Sequence, residues 1–369
     1  MIKKISLIFL SLLFSFSLIY LLVFGWVKIF ERYKSRNFFV NLESLNYHEK
    51  YSNKVHHLRG KLPEDYVNKK INKEDYFFTL FSKFTKDKQN YLIQGDSWAE
   101  YLTFNPLANK SIERIIKEKG IGFVNGGISS FSPSPMKVQY EIFEKEYNFK
   151  PDYLITIIDQ TDIGDELCRY KHNIIENNDG SVKFITRENN TEAVGDYSKY
   201  YSFSRILFEK ESLTNIYVTN YYFYKTIKSI RSKIYYLIKD GFKNRNNYKC
   251  RFGQIQKYLY HSENSDIQYF KKRTQEYLDF LERKKYLKKI FIVTFPHKKH
   301  LTKDYKINIS NIINELNLSK KVTHINFTKI IKEKDFNSEN IYFMNDPASH
   351  LNLKTQDLFI NKIFKIIEN

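Results

Sequence analysis

The chain has 369 residues, 42% of them hydrophobic and 17% aromatic, with a formal charge of +19 and two cysteines. That length allows one large domain or two small ones with a real core, and the apolar content excludes a largely disordered chain. The charge raises nucleic acid or an anionic membrane as a partner, but no zinc-finger spacing or RNP-like segment accompanies it, so no nucleic acid is expected.

The basic residues are spread along the chain. Abundant Lys, Asn, Ile, Tyr and Phe with little Gly or Pro is also what A/T-rich codons produce. Cys168 and Cys250 belong to no Cys-x-x-Cys or Cys/His cluster, so neither zinc nor a redox motif is indicated and no metal or cofactor is expected. A disulfide between them and two free buried thiols are both open.

Residues 1–4 form a short tail. From Ile5 to Val27 no residue is charged. At 1.5 Å per residue the run measures about 34 Å, enough for a single transmembrane helix. Lys3 and Lys4 precede it and Trp26 stands at its far edge, where an interfacial ring is expected. Gly25-Trp26-Val27 is a poor cleavage site, which favours an uncleaved anchor over a signal peptide. Lys28, Arg32, Lys34 and Arg36 outnumber the two N-terminal lysines, so charge counting alone leans toward a cytoplasmic main domain.

Residues 28–85 are polar and mixed and read as a linker and pre-domain segment. His56 and His57 lie in it, and adjacent residues point in different directions, so a shared metal is not expected. A regular alternation follows. Tyr91–Gln94 is a short apolar strand, with a helical stretch ending near Lys119. Phe123–Asn125 is a second strand, with a helix from about Met136 to Tyr147. Tyr153–Ile158 is a third, nearly continuously apolar, as suits a parallel sheet covered on both faces.

Residues 170–285 interrupt the pattern as an insertion. Asn178-Asp179-Gly180 predicts a hairpin turn. Ile216–Ile238 has helical spacing, either a helix packed on the main domain or a lid on a membrane surface. The run from Glu282 to Lys285 reads as a solvated helix end. Ile290–Phe295 is a fourth strand, a helix spans about Asn308–Leu316, Val322–Phe327 is a fifth strand, and an amphipathic helix from about Leu353 to Ile367 closes the chain. Strand–helix alternation predicts an α/β three-layer fold, α/β/α, around a mostly parallel five-stranded sheet, with ligands at the carboxyl ends of the strands.

The polar residues at those ends form an ordered series. Gly95-Asp96-Ser97 follows the first strand, Asn125-Gly126-Gly127 the second and Asp159-Gln160-Thr161-Asp162 the third, and Asp346 with His350 precedes the last helix. A serine that opens a helix at a strand end presents its hydroxyl to the crevice, and it needs a base within hydrogen-bond reach to act as a nucleophile. Asp162 and the pair Asp165-Glu166 read as helix N-terminal charges, and Pro296-His297 with His300 as a loop or a substrate contact.

In this order the blocks resemble those of the SGNH (GDSL-like) hydrolases, from Tyr91 to the C-terminus. The resemblance implies a flavodoxin-like SGNH domain over 86–369 and a serine esterase or O-acyltransferase. It implies Ser97 as nucleophile, His350 as base and Asp346 as its orienting acid, and an oxyanion hole from the amides of Ser97 and Gly127 with Thr161 or Gln160. Two departures stand out. Thr161 replaces the family's asparagine donor, and Asp346 precedes His350 by four residues rather than three. The resemblance further implies an acylated (often acetylated) envelope glycan as substrate and a domain outside a bacterial inner membrane. A catalytically degenerate glycan-binding or scaffold protein, and a lipid-active esterase with the insertion as lid, are the alternatives.

Overall fold

The structure is a computed structural model. It describes residues 2–26, 42–58, 76–80, 84, 87–186, single positions between 219 and 231, 258, 263–302, 307–332, 341–343, 346 and 349–368. The chain divides into two units, one of residues 1–49, 65–71 and 196–247, the other of residues 50–64, 72–195 and 248–369.

The first unit contains helix α1, Ile2–Trp26. Phe223 packs its ring edge-on against Phe16 and Tyr20, and the Tyr20 hydroxyl donates to Asn220 Oδ1 at 3.0 Å. The membrane-spanning helix expected over 5–27 is not shown: among the described residues no helix is long and apolar enough to cross a membrane. The side chains of residues 2–9 lie outside the description. Most of the predicted Ile216–Ile238 helix also lies outside the described residues.

Next along the chain is α2, Leu42–Val55. The second unit then runs β1 (Asn90–Gln94), α3 (Ser97–Phe104), α4 (Pro106–Lys119), β2 (Gly122–Asn125), α5 (Pro133–Glu146), β3 (Tyr153–Asp159) and α6 (Thr161–Asp165). A π-helical turn, Glu166–Tyr170, leads to the hairpin β4 (Ile174–Glu176) and β5 (Val182–Ile185). After α7 (Asn264–Glu282) come β6 (Lys289–Phe295), α8 (Lys298–Thr302), α9 (Ile309–Asn314), β7 (Val322–Asn326), α10 (Phe327–Lys332) and α11 (Leu353–Glu368).

Strands β2-β1-β3-β6-β7 form one five-stranded sheet, and every pairing in it is parallel. Alternate residues face opposite sides of a strand. Ile93, Ile155, Ile157 and Val293 share one core with Ile112 of α4 and with Phe359, Ile363 and Phe364 of α11. The alternating set meets α5 and α7 instead: Gln94 Nε2 donates to Gln139 at 2.6 Å, and the Tyr277 hydroxyl donates to Gln94 Oε1 at 2.9 Å. Helices therefore cover both faces, which is the three-layer arrangement expected. Chain connection reverses direction between β1 and β3, and such a switch point opens a crevice at the strands' carboxyl ends.

Within the insertion the predicted hairpin forms around Gly180, with β4 and β5 antiparallel. The expected linker and pre-domain segment, 28–85, contributes buried residues in its described part. Tyr51, His57, Phe77 and Phe78 are buried, and Leu80 bridges to Asn125 beside β2. His56 Nδ1 and His57 Nδ1 stand 3.1 Å apart, because His56 adopts a left-handed φ of 70° that turns the two adjacent rings toward each other. Cys168 is disulfide-bonded, and the chain's other cysteine, Cys250, lies outside the described residues.

Candidate active site

Gly95 lets β1 run into α3 in close quarters. A Cβ there would stand 3.0 Å from the Ile157 carbonyl and 2.9 Å from Ala99 Cβ. Asp96 caps the helix, its Oδ1 accepting from the Trp98 amide at 2.8 Å. Such a cap satisfies one of the orphan amides of the first turn. Ser97 is thereby the first helical residue. A first-turn amide has no intrahelical partner four residues back, and it lies at the positive end of the helix dipole.

The last loop brings in the base. Tyr342 and Leu351 form an antiparallel bridge, and Asn352 N donates to the Ile341 carbonyl at 2.9 Å. Within this clamp Ser349 takes a left-handed φ of 58°, which absorbs the extra residue between acid and histidine. Asp346 Oδ2 then accepts from the His350 amide at 2.8 Å and lies 2.6 Å from His350 Nδ1. His350 Nε2 lies 2.6 Å from Ser97 Oγ. Ser97, His350 and Asp346, separated by some 250 residues of chain, are one hydrogen-bonded line. α11 braces the loop from behind: Asn105 Nδ2 donates to the Leu353 carbonyl at 2.8 Å and to Gln356 Oε1 at 3.1 Å.

The expected oxyanion donors are distributed differently. The Gly127 amide donates to Asn125 Oδ1 at 2.9 Å. Glycine is required at 127 by the approach of α3, because a Cβ would meet Glu100 N at 2.4 Å and the Ala99 carbonyl carbon at 2.7 Å. Gln160 is spent on α9, its Oε1 accepting from Ile309 N at 2.9 Å and its Nε2 donating to the Ile307 carbonyl at 3.4 Å. The amide and hydroxyl of Thr161 both serve the Asp159 carboxylate. Of the four expected donors, Ser97 opens α3 and Thr161 opens α6.

Beneath Ser97 lies a carboxyl cluster that the sequence pattern did not single out. Asp96, Asp159 and Asp162 each have an oxygen within 4.8 Å of the others, and all three are at most 2% exposed. Burial, reinforced for Asp96 and Asp162 by the neighbouring Asp159, holds these two well above the usual carboxylate range. Burial also raises Asp159, against the hydrogen bonds from Thr161. Asp165 is pushed up to about 6 by burial despite Arg169, whose Nε donates to it at 2.5 Å. Glu166 is buried and raised, with the hydroxyls of Ser132 and Ser134 donating to it at 2.5 and 2.6 Å. Asp162 lies in the first turn of α6 as expected, and it, Asp165 and Glu166 are all buried.

Two aromatic residues flank the base. The Tyr101 ring centroid is 5.0 Å from that of His350 and the Trp98 centroid 6.2 Å. Their i, i+1 and i+4 spacing from Ser97 along α3 is the signal that would have found them. Behind the second loop, Ser129 donates through its amide to Glu100 Oε2 at 2.9 Å, and its carbonyl meets His57 Nε2 at 2.9 Å. His300 Nε2 bonds the Ile307 carbonyl at 2.9 Å and burial lowers its pKa, so the loop after β6 keeps it structural.

No family model matches the chain, and no curated protein matches it. Among solved structures, a catalytic mutant of Axe2, an acetylxylan esterase from Geobacillus stearothermophilus, is similar over 77% of this chain and 95% of that one. The identity is 10% and the TM-score 0.37. A likeness at that level says nothing about activity.

Proposed function

We propose that the protein is a serine esterase or O-acyltransferase that works through a covalent acyl-enzyme on Ser97. The observation that carries this reading is the line Ser97 Oγ–His350 Nε2–Asp346, with 2.6 Å at each link. Asp346 facing Nδ1 keeps the imidazole proton there and leaves Nε2 free to accept. Ser97 Oγ attacks the ester carbonyl while its proton passes to His350 Nε2, and the Ser97 amide faces the developing oxyanion. The carbon–oxygen bond to the leaving alcohol breaks as Nε2 returns the proton to it. Water, or the hydroxyl of an acceptor, then gives its proton to Nε2 and takes the acyl group.

The substrate in this reading is an acyl ester, acetyl by preference, of an envelope glycan. The family resemblance of the four blocks supports it. A disulfide at Cys168 supports an oxidising compartment, and the uncharged run from Ile5 to Val27 supports an anchor in the inner membrane with the site outside. Hydrolysis of p-nitrophenyl acetate by the whole chain tests the chemistry. Ser97→Ala is expected to remove activity by about 10³-fold or more, and equal rates in both proteins would refute a serine mechanism.

One observation favours a second reading. The amides of Gly127 and Gln160 are committed inside the protein, and an absent oxyanion donor costs about 10²–10³ in rate. A degenerate domain that binds glycan without turning it over fits that depletion. Saturable binding of acetylated glycan with no ester loss over hours would select it.

A further inference from the structure

Ser97 Oγ carries one hydrogen but stands near two acceptors. His350 Nε2 is 2.6 Å away and Asp96 Oδ2 is 3.2 Å away. His350 Nδ1 faces Asp346 at 2.6 Å, so Nδ1 holds the ring proton and Nε2 must take the hydrogen of Ser97. That leaves the lone pairs of Ser97 Oγ facing Asp96 Oδ2. Two acceptors in contact need a proton between them. The other Asp96 oxygen already accepts from the Trp98 amide, so the second one is the available carrier.

The surroundings supply the reason. Asp159 Oδ1 and Asp162 Oδ2 each accept from a backbone amide, Asp162 Oδ1 is buried without a partner among the described residues, and the Asp96 and Asp159 carboxyls also meet each other directly. Three buried carboxyls this close cannot all ionise. We infer that Asp96 stands in the resting site as a neutral carboxylic acid and donates a hydrogen bond to Ser97 Oγ. Burial, with the charge of Asp159 and then of Asp165, holds it in that form. No bond or proton changes hands at Asp96 during attack. It fixes the rotamer of Ser97 and directs the serine hydrogen to His350.

The charged and titratable groups around it come from three sides. On α3 they are Glu100 and Tyr101, and on the last loop Asp346 and His350. Beyond β3 they are Asp159, Asp162 and Asp165, the last paired with Arg169. Most of this set is acidic, which favours retention of the proton. Ionised Asp96 would draw the Ser97 hydrogen away from His350 and oppose charge on the oxyanion. The kinetic consequence rests on the nucleophile reading above, whereas the protonation itself does not.

The test is isotope-edited infrared spectroscopy of the whole chain, with labelled aspartate, across a pH series. A protonated-carboxyl stretch is expected at pH ~7 that Asp96→Asn removes and that fades at alkaline pH. Asp159→Asn should move that fading to lower pH, because one like charge is gone. Asp96→Asn keeps both contacts, with its carbonyl accepting from Trp98 and its amide donating to Ser97. The pH profile of its kcat/KM is therefore expected to lose the alkaline fall of the wild type. Absence of an Asp96-dependent band at pH ~7 would overturn the inference whether or not the protein is an esterase. So would a loss of about 100-fold in well-folded Asp96→Asn, or activity removed by EDTA and restored by a divalent cation, which would place a metal in the cluster. A band with no esterase activity in any variant would leave the inference standing and defeat the proposed function instead.

Discussion

Asp346 sets the tautomer of His350 through a 2.6 Å contact at Nδ1, and its second bond, to the His350 amide, fixes the ring's approach. Asp346→Asn keeps the shape and inverts the tautomer preference, so kcat/KM should drop by about 10³–10⁴ with little change in thermal stability, measured by ester assay beside a melting curve. The buried acids make a separate prediction about pH. A carboxyl whose folded pKa lies above its unfolded value binds more protons in the native state, so stability falls as pH rises through that interval. For Asp165 the window runs from about the usual carboxylate pKa to about 6. Asp96 and Asp162 extend it upward. The melting temperature is expected to decline from pH ~4 toward neutrality, and Asp162→Asn should raise it at pH ~7 relative to the wild type. A wild-type profile that rises over that range would contradict the buried-acid assignment.

At the scale of elements, α3 is held from two sides, and both contacts can be broken separately. The loop after β2 lies against it so closely that Gly127→Ala must push backbone aside, an overpacking penalty of about 1–3 kcal/mol readable by chemical denaturation. Asn105 caps α4 and ties it to α11, so Asn105→Ala should cost about 1–2 kcal/mol and loosen the loop that carries His350. If catalysis needs that bracing, kcat falls more than KM changes. The five parallel strands were legible in sequence because each is short, apolar and bounded by polar residues. Ser97, His350 and Asp346 were legible because strand-end position and block order single them out. The inward partners of Gln160 and Gly127 were not legible for a common reason: the direction of an amide depends on which tertiary partner claims it, Ile309 in one case and Asn125 in the other. Asp96, Asp159 and Asp162 converge from two strand ends, and nothing in linear spacing announces that.

Across the whole molecule the sheet, both helical layers and the candidate site all lie within residues 50–64, 72–195 and 248–369. The N-terminal helix exposes Leu10, Phe14, Leu21 and Leu22, each at least 59% exposed, a surface that water does not favour. Deletion of residues 1–27 is expected to move the protein from the membrane fraction to the soluble fraction without loss of the Ser97–His350 chemistry, assayed in both fractions. The most direct measurement of the central claim is mass spectrometry of the whole chain after reaction with a fluorophosphonate. The account predicts one adduct, on the peptide that contains Ser97, absent from Ser97→Ala and strongly reduced in His350→Ala. No adduct on folded protein, or an adduct at another residue that survives Ser97→Ala, would contradict it.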